Sequence, residues 1–172
     1  TMSFRVSKPE AKVFHSSWSP HNDTNGTPTL LAVGESLCRY YSVPDLEDGD
    51  MKTIDHVDAP SIPPNSIITA TAWHPNGRFA TCAVDVLRET AGEPQTSTHM
   101  LMDIGRDMGT VQYPSSFPSL DPPGIVLCMR YSPSGEHLLV VRSNTTRGFV
   151  QVYETPTNED KPTWRKDPVS CL

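Results

Sequence analysis

Few residues in this chain have the chemistry for catalysis or metal binding, and their spacing speaks against both. His15, His21 and Asp23 carry metal-ligating atoms, but His15 falls in an alternating apolar run and His21 in a polar turn. The pattern predicts one strand histidine and one solvated histidine. Asp55, His56 and Asp58 offer acid–base groups, yet no nucleophile or oxyanion donor accompanies them, and a solvated edge strand is expected there. GxSxG, P-loop, GxGxxG, HExxH and Cys/His zinc spacings do not occur. The expectation is a protein that is not an enzyme, with no catalytic residues, cofactor or metal. Cys38, Cys82, Cys128 and Cys171 form no CxxC pair, and the first three lie in apolar runs, as buried thiols in a reducing compartment would. Asn22, Asn25 and Asn144 begin N-x-S/T sequons that matter only in a secreted chain, and residues 1–8 contain no apolar h-region.

Charge narrows the possible partners. With 14 Lys plus Arg against 20 Asp plus Glu, the net charge of -6 gives no general drive toward nucleic acid or anionic lipid. No window approaches the ~18 apolar residues of a spanning helix. Asp45, Glu47, Asp48 and Asp50 form an acidic loop, extended by Asp55 and Asp58. It could steer a basic peptide such as a histone tail, or simply solubilise a loop beside an edge strand. Arg142 and Arg147 flank Asn144 and read as a solvated turn.

The elements that hold these residues are short strands. A composition of 36% hydrophobic residues with 17 Pro and 10 Gly excludes a helical bundle. An alternating apolar run ending in an aromatic and a Pro turn recurs three times, at Val13–Pro20, Ile67–Gly77 and Ile125–Gly135, with Trp18, Trp73 and Tyr131 spaced 55 and 58 residues apart. Those aromatics are expected in the core. Second strands follow at Thr29–Val33, Arg78–Val84 and His137–Val141, and third strands at Leu37–Val43, His99–Ile104 and Phe149–Glu154. Weaker fourth runs lie near Met51–His56, Thr110–Tyr113 and Thr163–Lys166. Glu35, Asp85 and Asn144 fall between second and third strands, where each caps its own turn or meets a partner. Four short strands per unit, the first ending in an aromatic, is a propeller-blade pattern.

These runs resemble the WD-repeat β-propellers, and the resemblance spans nearly the whole chain. The Trp-Asp pair of that family stands here as Tyr41-Ser42, Met102-Asp103 and Tyr153-Glu154, and the Gly-His pair is absent, with Pro123-Gly124 in its place in the third unit. Val13-Phe14-His15-Ser16-Ser17-Trp18-Ser19-Pro20, Leu31-Ala32-Val33-Gly34-Glu35 followed by Arg39, and Pro123-Gly124-Ile125-Val126 with Ser132-Pro133-Ser134-Gly135 resemble the propeller start of the transducin-β-like corepressor subunits and their fungal histone-deacetylase-complex counterparts.

The resemblance implies an all-β fold: three four-stranded blades, about 8–58, 64–114 and 123–168, forming the N-terminal part of a seven- or eight-bladed propeller over 1–172. It implies a non-catalytic scaffold in a nuclear corepressor or histone deacetylase complex. Partners would be corepressor subunits, a deacetylase, histone tails and the remaining blades of a parent chain, without direct nucleic-acid or membrane contact. Glu35, Arg39, Asp85, Arg142 and Asn144 become the partner-binding residues. An RNA-processing or cytoplasmic scaffold is the alternative, and a propeller hydrolase a further one. Three blades also leave two blade faces unpaired, so the chain is expected to self-associate.

Overall fold

The computed structural model describes residues 12–43, 56–58, 65–88, 96–106, 111–112, 124–144, 146–155 and 170–171. Every regular element among them is a strand. The first sheet comprises β1 (Val13–Trp18), β2 (Thr29–Gly34), β3 (Leu37–Ser42) and β4 (His56–Asp58) in that spatial order. The second comprises β5 (Ser66–Trp73), β6 (Phe79–Arg88), β7 (Thr96–Gly105) and β8 (Val111–Gln112). The third comprises β9 (Ile125–Tyr131), β10 (His137–Ser143), β11 (Gly148–Glu154) and β12 (Ser170–Cys171). Each is an antiparallel meander of three full strands plus a fourth of two or three residues. The third sheet takes that last strand from Ser170–Cys171, beyond the expected run, while 163–166 lies outside the described residues.

Strand periodicity gives every sheet two working faces. In β6, Ala80, Cys82 and Val84 turn toward the first sheet and join Leu31, Val33, Cys38 and Tyr40 in one buried cluster. Ala83, one residue out of phase, turns with Ala70, Ala72 and Leu101 toward Val126, Met129, Leu138, Val140 and Tyr153 of the third sheet. The middle sheet is thus buried on both sides, and β5 packs against β1, β2 and β3 on one flank and β9 on the other. Cys38 and Cys82 are free buried thiols in the first interface; the contact with Cys38, and then burial, pushes the Cys82 thiol well above its ordinary value. Cys128, expected to be buried, is half-buried.

Each first strand carries one irregularity, always four residues before its terminal aromatic. Pairing skips Phe14 in β1, Thr69 in β5 and Leu127 in β9. An extra residue there sharpens local twist and re-aims the strand. Phe14 and Leu127 are exposed, and the Thr69 hydroxyl is buried without a partner.

Three expectations need correction. Trp18 is 57% exposed rather than in the core, because its register places it on the face of the first sheet turned away from the second. Asp85 is not in a turn: β6 runs through it to Arg88, where Asp85 pairs with His99 and is buried. Arg142 is not in a solvated turn but on β10, in phase with Leu138 and Val140, and is fully buried. Its guanidinium donates to Gln151, which also accepts from the Tyr153 hydroxyl, and lies 5.7 Å from the Phe149 ring centroid.

Candidate interaction surface

The turns between first and second strands line one rim of the molecule and are built by local side-chain caps. Asp23 Oδ1 accepts from the backbone N–H groups of Asn25 (2.8 Å) and Thr27 (2.7 Å). Asn76 Oδ1 accepts from the Arg78 N–H (2.9 Å), and Ser132 Oγ accepts from the His137 N–H (3.1 Å). Gly26, Gly77 and Gly135 take φ of 79°, 70° and 78°, a region where a side chain is strained.

Each turn also docks on the next. The His21 ring bonds Pro75 O (2.8 Å) and covers Gly77, where a Cβ would stand 2.8 Å from its Cδ2. The His74 ring covers Gly135, where a Cβ would meet Nε2 at 2.5 Å. His74 is held in place by Phe79, stacked at 4.8 Å, and by the edge of Tyr131 at 5.0 Å. Nothing lies within 4 Å of the position a Cβ would take on Gly26.

Arg106, just past β7, bolts the first two sheets together. Its Nη1 donates to Asn22 O (2.8 Å), and its Nη2 to His21 O (2.8 Å) and Thr29 Oγ1 (2.9 Å). Beside it opens a cleft of about 640 Å³ whose lining includes Asp23, Tyr40, Ser42, Asn76, Arg78 and Arg106. The Tyr40 hydroxyl is turned inward to Ile104 O (3.2 Å). Asp23 Oδ1 serves its own loop and both Arg106 Nη atoms serve the first sheet, so the exposed Asn76 and Arg78 stand at the mouth beside the Asp23 charge.

A second polar group crosses between the second and third sheets. Thr81 Oγ1 donates to Asp103 Oδ1 (2.5 Å), which leaves the Tyr131 hydroxyl to donate to Thr81 (2.6 Å). Burial, and then the Asp103 charge, raises the Tyr131 phenol well above its ordinary value. Asp103 thereby anchors a part-buried inter-sheet network.

The residues singled out by sequence are dispersed. Glu35 stands exposed at the β2–β3 turn, its N–H donating to Lys12 O (3.0 Å). Asn144 Oδ1 accepts from the N–H groups of Thr146 (2.9 Å) and Arg147 (2.8 Å), so it caps its own turn. Arg39 forms a two-point ion pair with Asp58 at 2.5 and 3.0 Å, which raises its already high pKa. That pair sits on the face of the first sheet turned away from the second, and Asp85 and Arg142 are buried as described. The acidic loop Asp45, Glu47, Asp48 and Asp50 and its neighbour Asp55 lie outside the described residues. Sequence reading passed over Asn76, Arg78 and Arg106. The Pro-Asn-Gly turn marks the first two, but the Arg106 contacts depend on where β7 ends and leave no local pattern.

His15 on β1 has its imidazole lowered below the ordinary 6.5 by burial and then by the Arg130 charge. The folded chain therefore favours the neutral ring. This effect is absent well above pH 6.5 and destabilises the fold as pH falls below it, where the unfolded chain takes the proton first. Between about pH 7.5 and 5.5, His15→Gln should lose less thermal stability than the wild type; equal losses would remove His15 as a contributor.

No protein-family model matches this chain, and no curated protein matches it.

Proposed function

We propose that this chain is a non-catalytic protein-interaction scaffold, three blades of a WD-repeat-type β-propeller, acting within a nuclear corepressor or histone deacetylase assembly. The observation that carries the scaffold reading is the repetition of one packing unit. Three meanders with the same strand order stack with β1, β5 and β9 as neighbours, each with its bulge at the same place. Blades set around an axis have this relation. The corepressor assignment adds the resemblance of the first and third units to those subunits.

Within this reading the exposed mouth of the cleft at Asn76 and Arg78 meets the partner protein. Capture from nuclear extract with the full chain as bait should recover deacetylase or corepressor subunits. Arg78→Glu, at an exposed position, should cut that recovery by roughly tenfold, and a melting curve taken alongside separates loss of the contact from loss of the fold. Recovery of neither subunit class by the wild type would end the corepressor reading. Undiminished recovery by Arg78→Glu would move the contact away from the cleft.

A further inference from the structure

The two inter-sheet interfaces follow one rule, and the outer faces of the molecule carry its two unmatched halves. Register aligns Trp18, Leu30 and Tyr41 across the first sheet, Trp73, Ala80 and Ile104 across the second, and Tyr131, Leu138 and Tyr153 across the third. In the second and third sheets this line faces the sheet before it. The opposite faces carry Leu31 and Tyr40, Thr81 and Asp103, and Leu139 and Val152.

Each interface pairs like chemistry with like. Trp73 stands over Tyr40 with ring centroids 5.4 Å apart, beside the apolar Leu31. Tyr131, which has a hydroxyl to satisfy, meets the polar pair Thr81 and Asp103. The half left over on the first sheet is an indole, Trp18, 57% exposed. The half left over on the third is largely apolar: Leu139 and Val152, with Val141 and Val150 beside them, are only half-buried, Leu127 on β9 is 60% exposed, and the exposed Arg130 lies across from Leu139. The uncovered Gly26 marks the same end as Trp18, since its counterparts Gly77 and Gly135 each lie under a ring from the preceding sheet.

We infer that the third sheet of one copy of this chain docks on the first sheet of a second copy, head to tail, seating Trp18 of one against Leu139 and Val152 of the other. A second copy supplies the matching apolar half, and the contact continues an interface the chain already builds twice. Such a heterologous contact closes into a ring or propagates, depending on the rotation it imposes. It rests on the packing of the sheets and not on the identity of any partner protein.

Light scattering and sedimentation of the full chain from about 1 to 100 µM should show masses of two or more copies at the upper end. Trp18→Glu and Leu139→Glu should each weaken association at least tenfold or so, and an equimolar mixture of the two should restore pairing, because each retains the half that the other lacks. Val152→Lys replaces Leu139→Glu if that variant melts early, and melting curves like the wild type's confirm that the variants are folded. A wild type that stays monomeric throughout overturns the inference. So does self-association unchanged by Trp18→Glu, or a mixture that does not pair. None of these readouts depends on a corepressor partner, so the two proposals fail separately.

Discussion

Gly135→Ala is expected to destabilise the chain by about 2–5 kcal/mol, through two effects that add at this position. The left-handed backbone alone costs an alanine about 1–2 kcal/mol. The new methyl also meets His74 Nε2 at 2.5 Å, and that ring has little room to retreat because Phe79 and Tyr131 hold it. Overpacking of this kind adds about 1–3 kcal/mol. Gly77→Ala meets the His21 ring at 2.8 Å, but His21 is exposed and turns away at modest cost, so slightly more than the backbone effect, about 2–3 kcal/mol, is expected. Gly26→Ala has open space and should show the backbone effect alone, about 1–2 kcal/mol. Urea midpoints at one fixed protein concentration would rank the variants Gly135, Gly77, Gly26 in decreasing effect. Equal losses at all three would refute the docking of each histidine on the next turn. His74→Ala combined with Gly135→Ala should cost less than the sum of the two, since removing the ring relieves the clash.

Leu138→Ala should be as damaging, about 2–5 kcal/mol, while Leu139→Ala next to it should cost under about 1 kcal/mol in the dissociated chain. Leu138 is fully buried in a cluster with Val126, Met129, Val140 and Tyr153. Leu139 points to the half-buried outer face. The contrast tests the orientation of the third sheet, because a slip of one residue would exchange the two outcomes. Chemical denaturation of both variants at low protein concentration separates them, and a larger loss in Leu139→Ala would invert the proposed packing.

Most of the strand layout was legible because period-two alternation and Pro-x-Gly turns are local signals. The runs ending at Trp18, Trp73 and Tyr131 are β1, β5 and β9 as expected. What was not legible is set by packing between sheets. Trp18 carries the same local pattern as Trp73, but exposure depends on whether another sheet lies over it. Asp85 looked like a turn residue because carboxylates favour turns, yet β6 extends past it and its side chain is buried. Arg142 looked like a surface cation, while strand phase places it under Phe149. The candidate cleft was missed for the same reason: Arg78 and Arg106 are 28 positions apart in sequence and meet only when β6 and β7 pair in register.

The bulges at Phe14, Thr69 and Leu127 bear on the fate of this chain outside its native state. β1, β5 and β9 are the terminal strands of their sheets, and β5 lies close to both of the others. A smooth strand such as Ile125–Tyr131 would offer an unbroken row of N–H and C=O groups to any neighbour, the template from which fibrils grow. One extra residue at the same position in all three spoils that row by throwing the donor and acceptor spacing out of phase. The bulge thus acts as a gatekeeper: it steers three similar sheets to stack by their faces and keeps them from zipping edge to edge into a cross-β ribbon.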